Sequence, residues 1–304
     1  GKSGALGPWV LLPLAVLVPL AVLLAVPDVC SDAVVYHLGA PWQFRLAHRI
    51  FASEAPFPFF FPLPVEMTYL VPFALGEFRL ATWLNLAALI GGLSVFAGRH
   101  RAAGGSVLSA GLALTLSVMF GYLPGGKCDP SVAGFFIAGA VLTSSGSWRT
   151  GALLLGAASA AKYTTIPLVA FWLLFFRPPV RQRLPVLALL VLPALPWLVR
   201  AWLSTGDPVF PFGGILFPSP YWGASNEGTF LDYSTKLWDD SILHGVNLPM
   251  AWLGWLAKTV LPAAIFLPGL LVAGASRREA LALVAGALAV TQISHLSRYT
   301  LPAM

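Results

Sequence analysis

Residues 26 to 38, "VPDVCSDAVVYHL", bring Asp28, Cys30, Asp32, Tyr36 and His37 to the end of a largely apolar stretch, Pro8 to Pro27. A plain membrane anchor has no use for acids, a thiol, a phenol and an imidazole at that point. Similar groups recur at the ends of later apolar stretches: Glu66, Asp129, Lys162 with Tyr163, Arg200, and Arg298 with Tyr299. A carboxylate within hydrogen-bond reach can take a proton from a hydroxyl, and Arg and Lys stabilise charge that grows on phosphate oxygens. Gathered in one chamber, these groups would suit a lipid substrate with a phosphate head and a long apolar tail.

What must position them is a set of apolar helices. The chain is 58% hydrophobic and 10% charged over 304 residues, with a mean hydropathy of +0.80. Soluble domains carry roughly 25% charged residues, so the composition predicts one all-α polytopic membrane domain over residues 1–304, with eight or nine membrane helices. The net charge of +6 is not a nucleic-acid footprint, because the basic residues are scattered through short loops. The opening Gly and the close on "RYTLPAM" directly after an apolar stretch suggest a fragment, truncated at the C-terminal end.

A span takes about twenty apolar residues. Spans are expected over 8–27, 80–98, 106–123, 131–144, 184–203, 252–275 and 281–293, with outer loops at 28–77 and 204–248. The 26-residue stretch "GALLLGAASAAKYTTIPLVAFWLLFF" lies between Arg149 and the Arg177, Arg181, Arg183 cluster. One helix would put those clusters on opposite sides of the bilayer. A hairpin of two short helices turning near Lys162 keeps both inside, as the bias of basic residues toward the cytoplasm requires. The inside loops then hold nine Lys/Arg and one acid, Glu279, and the other eleven acids fall outside.

This topology sets Asp32, Glu66, Asp129, Lys162, Arg200 and Arg298 near the outer ends of helices. Ionisable groups beside a membrane span tend to face a cavity or a partner. Each also has a plainer reading. Asp32 and Asp129 can cap the helices that follow them, the latter with Pro130 in the first turn. Arg200 and Arg298 can be snorkelling interfacial anchors, as Lys258 is expected to be. Lys162 has no packing reason to stand in an apolar stretch. Cys30 and Cys128 fall on the outer side, where a disulfide between them would persist; two unpaired thiols are the alternative. No Cys/His grouping has the spacing of a zinc site.

In the first loop, "SDAVVYHLGAPWQFRLAHRI" predicts an amphipathic surface helix broken at Gly39-Ala40-Pro41. The prolines of "APFPFFFPLPVEMTYLVPF" preclude one regular helix, and its phenylalanines suit lipid tails or a cavity wall. The later loop "FPSPYWGASNEGTFLDYSTKLWDDSILHG" can shape an acceptor site or form an aromatic belt.

The pieces "SDAVVYHLGAPWQF", "FPLPVEMTYL", "KCDPSVAGFF", "GAASAAKYTTIPL", "PWLVRAWLSTGDPVFPF" and "RYTLP" follow one another along nearly the whole chain. In that order they resemble the GT-C glycosyltransferases, nearest to the protein mannosyltransferase and aminoarabinose transferase branch. The resemblance implies a multi-pass enzyme of the cell inner (plasma) membrane with an extracytoplasmic active site. It would take sugar from a polyprenyl-phosphate carrier and pass it, with inversion, to a lipid, glycan or protein acceptor.

The resemblance also implies roles. Asp32 matches the acid that serves as general base, and Asp129 a second acid of the same pocket. Glu66 lies where relatives contact donor or metal, so a divalent metal would rest on Asp32, Asp129 and Glu66. Lys162, Arg200 and Arg298 match positions suited to the carrier phosphate, with Tyr36, His37, Tyr163 and Tyr299 beside them in the substrate site. Two features depart from the family: Ala33 follows Asp32 where many members have a second acid, and no Lys-Pro-Pro stretch precedes Tyr69. A secondary transporter and a non-catalytic lipid-binding protein are the rival classes.

Overall fold

The computed structural model describes residues 33–51, 57–102, 127–163, 165–214 and 216–223. The expected spans over 8–27, 106–123, 252–275 and 281–293, and most of the loop over 204–248, lie outside them. Among the described residues every regular element is helical, and the one bridge outside the helices pairs Ser219 with Trp222.

The first segment opens with a π-helical turn, Ala33–His37, closed by the Leu38 amide donating to the Ala33 carbonyl at 2.8 Å. Helix α1, Gly39–Ala47, follows directly. The expected break therefore falls at Leu38, just before Gly39-Ala40-Pro41. Those residues form the first turn of α1, where amides have no intrahelical partner and proline is tolerated. The proline-rich run forms short pieces, as expected: 3₁₀ turns at Phe57–Phe60 and Glu66–Tyr69, then the five-residue α2, Leu70–Ala74. Phe59, Phe60 and Phe73 are buried, so these rings fill the protein's own interior.

Four longer helices carry the frame: α3, Arg79–Ala102; α4, Asp129–Ser144; α5, Trp148–Ala161; and α6, Thr165–Phe175. Helix α7, Arg183–Val191, and α8, Leu195–Thr205, follow a 3₁₀ turn at Val180–Gln182. Helix α4 is the centre, with α3 on one side and α5 on the other, and α7 lies beyond α5. Small residues set these spacings. A Cβ on Gly134 would stand 2.2 Å from the Ala88 carbonyl oxygen, and one on Gly92 2.2 Å from the Gly134 oxygen. On the far side, one on Gly156 would meet the Leu190 oxygen at 2.3 Å. Small residues of this kind let helix backbones meet directly.

Helix α4 ends in a Schellman motif. Gly146, at φ 87°, donates to the Thr143 carbonyl, and Ser147 donates to that of Leu142. The chain turns at once into α5, which runs back along α4 and stops at Lys162, whose backbone is extended. Helix α6 then reverses again. Trp172 Nε1 donates to Thr143 Oγ1 at 2.8 Å, near the end of α4 where Arg149 begins α5. The 26-residue apolar stretch is thus a hairpin that turns at Lys162, as the Arg placement requires.

The expected span over 184–203 consists of two helices, α7 and α8, which meet at 52°. Pro193 and Pro196 at the junction deprive the ladder of two donors and crowd the preceding carbonyls. Among the described residues, α3 is the one helix long and apolar enough to cross a membrane, over Arg79–Phe96. The bent α7–α8 pair would make a second if taken as one span.

Because the α3–α4 seam has no room for a methyl group, Gly134→Ala should lower unfolding stability by about 1–3 kcal/mol. Gly98, on the same helix as Gly92 but with nothing within 4 Å of a Cβ, should tolerate alanine or gain from it. Denaturant unfolding of the two purified variants checks this, and equal stabilities would contradict the close approach.

Candidate functional site

The π turn and the 3₁₀ turn at Glu66–Tyr69 carry residues that are 29 positions apart into one buried pair. His37 Nδ1 and Glu66 Oε1 lie 2.5 Å apart, with the side chains 5% and 1% exposed. A carboxylate on Nδ1 favours the tautomer with its proton there and leaves Nε2 as an acceptor. The Tyr36 ring rests on the imidazole at 4.0 Å between centroids. The second carboxylate oxygen, Glu66 Oε2, is buried with no hydrogen-bond partner.

Cys128, the residue before α4, completes this group. Its Sγ lies within 4.8 Å of the nearest ligating atoms of both His37 and Glu66. The sequence shows no zinc-type spacing because the three residues come from three separate segments, and folding alone brings them together. Cys128 is a free, buried thiol that donates to the Ala161 carbonyl at 3.7 Å. Of the two readings left open it matches the unpaired thiol, and Cys30 lies outside the described residues. Burial pushes the Cys128 thiol well above its ordinary value, and the negative charges of Glu66 and Asp129 add to the shift.

Asp129 and Lys162 form the second pair. The N-cap position of α4 belongs to Cys128, which makes no side-chain cap bond. The capping role open to Asp129 is therefore corrected: it stands inside the first turn, and its Oδ1 accepts from Lys162 Nζ. Both side chains are about 30% exposed, at 29% and 33%, so the pair sits at the rim while His37 and Glu66 lie beneath the surface.

Asn85 ties these parts together. Its Nδ2 donates to Tyr69 Oη at 2.7 Å and to the Lys127 carbonyl at 2.9 Å. Its Oδ1 accepts from Ser131 Oγ at 2.6 Å. All three side chains are buried. Burial, and then the Glu66 charge, raise the Tyr69 hydroxyl well above the ordinary phenol value, so it stays neutral. Sequence reasoning missed Asn85. Its signal was an amide within "LATWLNLAALIGGL", where an isolated polar side chain needs a partner.

Arg200 corrects another expectation, since it is no snorkelling anchor. Its Nη2 donates to the carbonyls of Phe51 at 2.8 Å and Phe59 at 2.5 Å. The guanidinium also lies over the Trp197 and Phe44 rings. It fastens the first loop to α8, and Nη1 is buried without a partner.

Tyr163, beside Lys162, meets Phe61 and Phe212 edge-on, and Phe61 meets Tyr36. The Phe212 turn is organised by Asp207, another residue missed from sequence. Its Oδ1 accepts from the Val209 amide and its Oδ2 from that of Gly213, both at 2.9 Å.

The structure thus gathers Tyr36, His37, Glu66, Cys128, Asp129, Lys162 and Tyr163, and gives Arg200 to loop anchoring. Asp32, Arg298 and Tyr299 lie outside the described residues. The expected metal set of Asp32, Asp129 and Glu66 includes Asp32, which is outside the described residues. No protein-family model, curated protein or solved structure matches the chain.

Replacing Asn85 with Leu leaves the Ser131 hydroxyl and the Lys127 carbonyl without this partner, at about 1–3 kcal/mol for each buried group stranded. Asn85→Leu should therefore unfold at clearly lower denaturant than the wild type, and Ser131→Ala should lose less. An unchanged midpoint for Asn85→Leu would show that the amide holds nothing together.

Proposed function

We propose that the chain is an integral membrane glycosyltransferase. It moves a sugar from a polyprenyl-phosphate carrier to an acceptor hydroxyl on the extracytoplasmic side, with inversion. The observation that carries this reading is the meeting of an acid and a cation, Asp129 and Lys162, with the buried His37–Glu66 pair. They come from four separate segments, and an aromatic row of Tyr36, Phe61, Tyr163 and Phe212 stands alongside.

Support for a lipid setting comes from the outer surface of the bundle. Leu184, Leu187, Leu192, Trp202 and Leu203 are exposed on and between α7 and α8. Exposed apolar side chains gathered in this way mark a site of protein or membrane contact. Helix α3 is long and apolar enough for a span.

In the proposed reaction the acceptor oxygen forms a bond to the anomeric carbon while the bond from that carbon to the phosphate oxygen breaks. The acceptor proton passes to the Asp32 carboxylate, and the carrier phosphate leaves with the bonding electron pair. Lys162 neutralises the charge that grows on the phosphate, which is worth most where water is excluded. Asp129 holds the ammonium in place before the donor arrives. The buried Glu66 fixes the imidazole of His37, whose Nε2 is then a hydrogen-bond partner for a substrate hydroxyl. The aromatic row offers flat apolar faces to the sugar or the first prenyl units.

The test is transfer by the purified full chain in liposomes, from a synthetic polyprenyl-phosphate sugar. Asp32→Asn should reduce transfer by about 10²-fold or more with carrier binding retained. Lys162→Met should weaken carrier binding as well. Near-normal transfer by both variants would overturn the assignment. Carrier binding with no product from the wild type would make the chain a lipid-binding protein, and solute uptake with no product would make it a transporter.

A further inference from the structure

We infer that His37, Glu66 and Cys128 form a binding site for a divalent transition metal of borderline softness, of which zinc is the type. The three side chains bring nitrogen, oxygen and sulfur donors from the π turn, the 3₁₀ turn and the start of α4, and all are buried. This is the donor set that zinc takes and that Mg²⁺ and Ca²⁺ do not. It is distinct from the oxygen set of Asp32, Asp129 and Glu66 that the family resemblance implies.

Two observations point to a ligand at this position. The first is distance. The donor atoms lie within 4.8 Å of one another. Metal–ligand bonds of 2.0–2.3 Å at tetrahedral angles require donors roughly 3.3–3.8 Å apart. Nδ1 and Oε1, at 2.5 Å, need only part by under about 1 Å, which side-chain rotation provides. The second is the buried Glu66 Oε2, which has no partner. An orphaned carboxylate oxygen at 1% exposure is costly. A cation held by both carboxylate oxygens satisfies it.

The charge also balances. One carboxylate and one thiolate offset the two charges of the metal, and the imidazole binds neutral through Nδ1 with its proton on Nε2. Metal uptake therefore expels the Cys128 thiol proton to solvent. The fourth position is left to water or to a substrate oxygen. Bound metal would clamp the first loop to the start of α4. The site stands on its own geometry and does not require the transferase reading, so either can fail alone.

The experiment uses the purified full chain, stripped with chelator and titrated with Co²⁺ as a spectroscopic stand-in. A thiolate-to-cobalt charge-transfer band together with visible bands of four-coordinate intensity is expected, and Zn²⁺ should displace both. Cys128→Ser should remove the charge-transfer band. His37→Ala should weaken zinc by at least about tenfold. Asp129→Asn should leave the spectrum unchanged. In the wild type, which needs no variant to fold, Zn²⁺ but not Mg²⁺ should protect Cys128 from alkylation, read peptide by peptide so that Cys30 is counted separately. Absence of the charge-transfer band, its persistence in Cys128→Ser, or alkylation of Cys128 at the same rate with and without zinc would overturn the site.

Discussion

The close backbone contact of α4 with α3 is the constraint from which the polar site follows. With Gly134 and Gly92 against each other's helices, the seam leaves no room for a methyl group, and the helices cannot slide or rotate without a clash. That fixes Asn85 of α3 opposite Ser131 and Lys127, at the start of α4. The α4–α5 packing then brings Ala161 and Lys162 beside Cys128 and Asp129. Two helix packings and one turn therefore decide where an acid, a cation and a thiol stand.

Charge is handled differently at two depths. Nearer the surface, the Asp129–Lys162 pair keeps about a third of each side chain in contact with solvent, so neither group is stripped of water. Below it, Glu66 is almost wholly enclosed, with the His37 imidazole on one oxygen and the Cys128 thiol close by. Buried charges are tolerated when paired and hydrogen-bonded, and breaking one partner away leaves a large uncompensated cost. The inner pair is thus set by the fold, while the outer pair stays within reach of solvent.

Much of the frame was legible before any coordinates. The hairpin followed from where Arg149, Arg177, Arg181 and Arg183 stand, because the distribution of basic residues is a one-dimensional signal. Lys162 stood out for the same reason, as an ammonium in an apolar run. The first loop was legible only in its composition. Its prolines ruled out a long helix, but nothing local says that Gly39-Ala40-Pro41 begins a helix rather than ending one; a helical first turn tolerates all three residues. The pairing of His37 with Glu66, and of both with Cys128, was hidden because it rests on the packing of three segments and has no periodicity. Asp129 illustrates the same limit: an Asp before Pro has the form of a cap, and only the fold supplies Lys162.

The first loop has little regular structure of its own, so its shape depends on polar ties to the helices. Arg200 holds the carbonyls of Phe51 and Phe59 from α8. Asn85 holds Tyr69 from α3. Glu66 holds His37 within the loop, next to Cys128. In surroundings of low polarity such bonds are stronger than in water, and an unpaired member costs correspondingly more. The aromatic row begins on this loop with Tyr36 and Phe61 and ends on Tyr163 and Phe212, at the turn after α5 and the turn after α8. Its spacing is therefore set jointly by ties at three places. A displacement of any one tie changes the distance between loop and helices, and with it the width of the surface offered to a substrate. In the proposed transferase, specificity would belong less to any single ring than to the anchors that hold the rings apart.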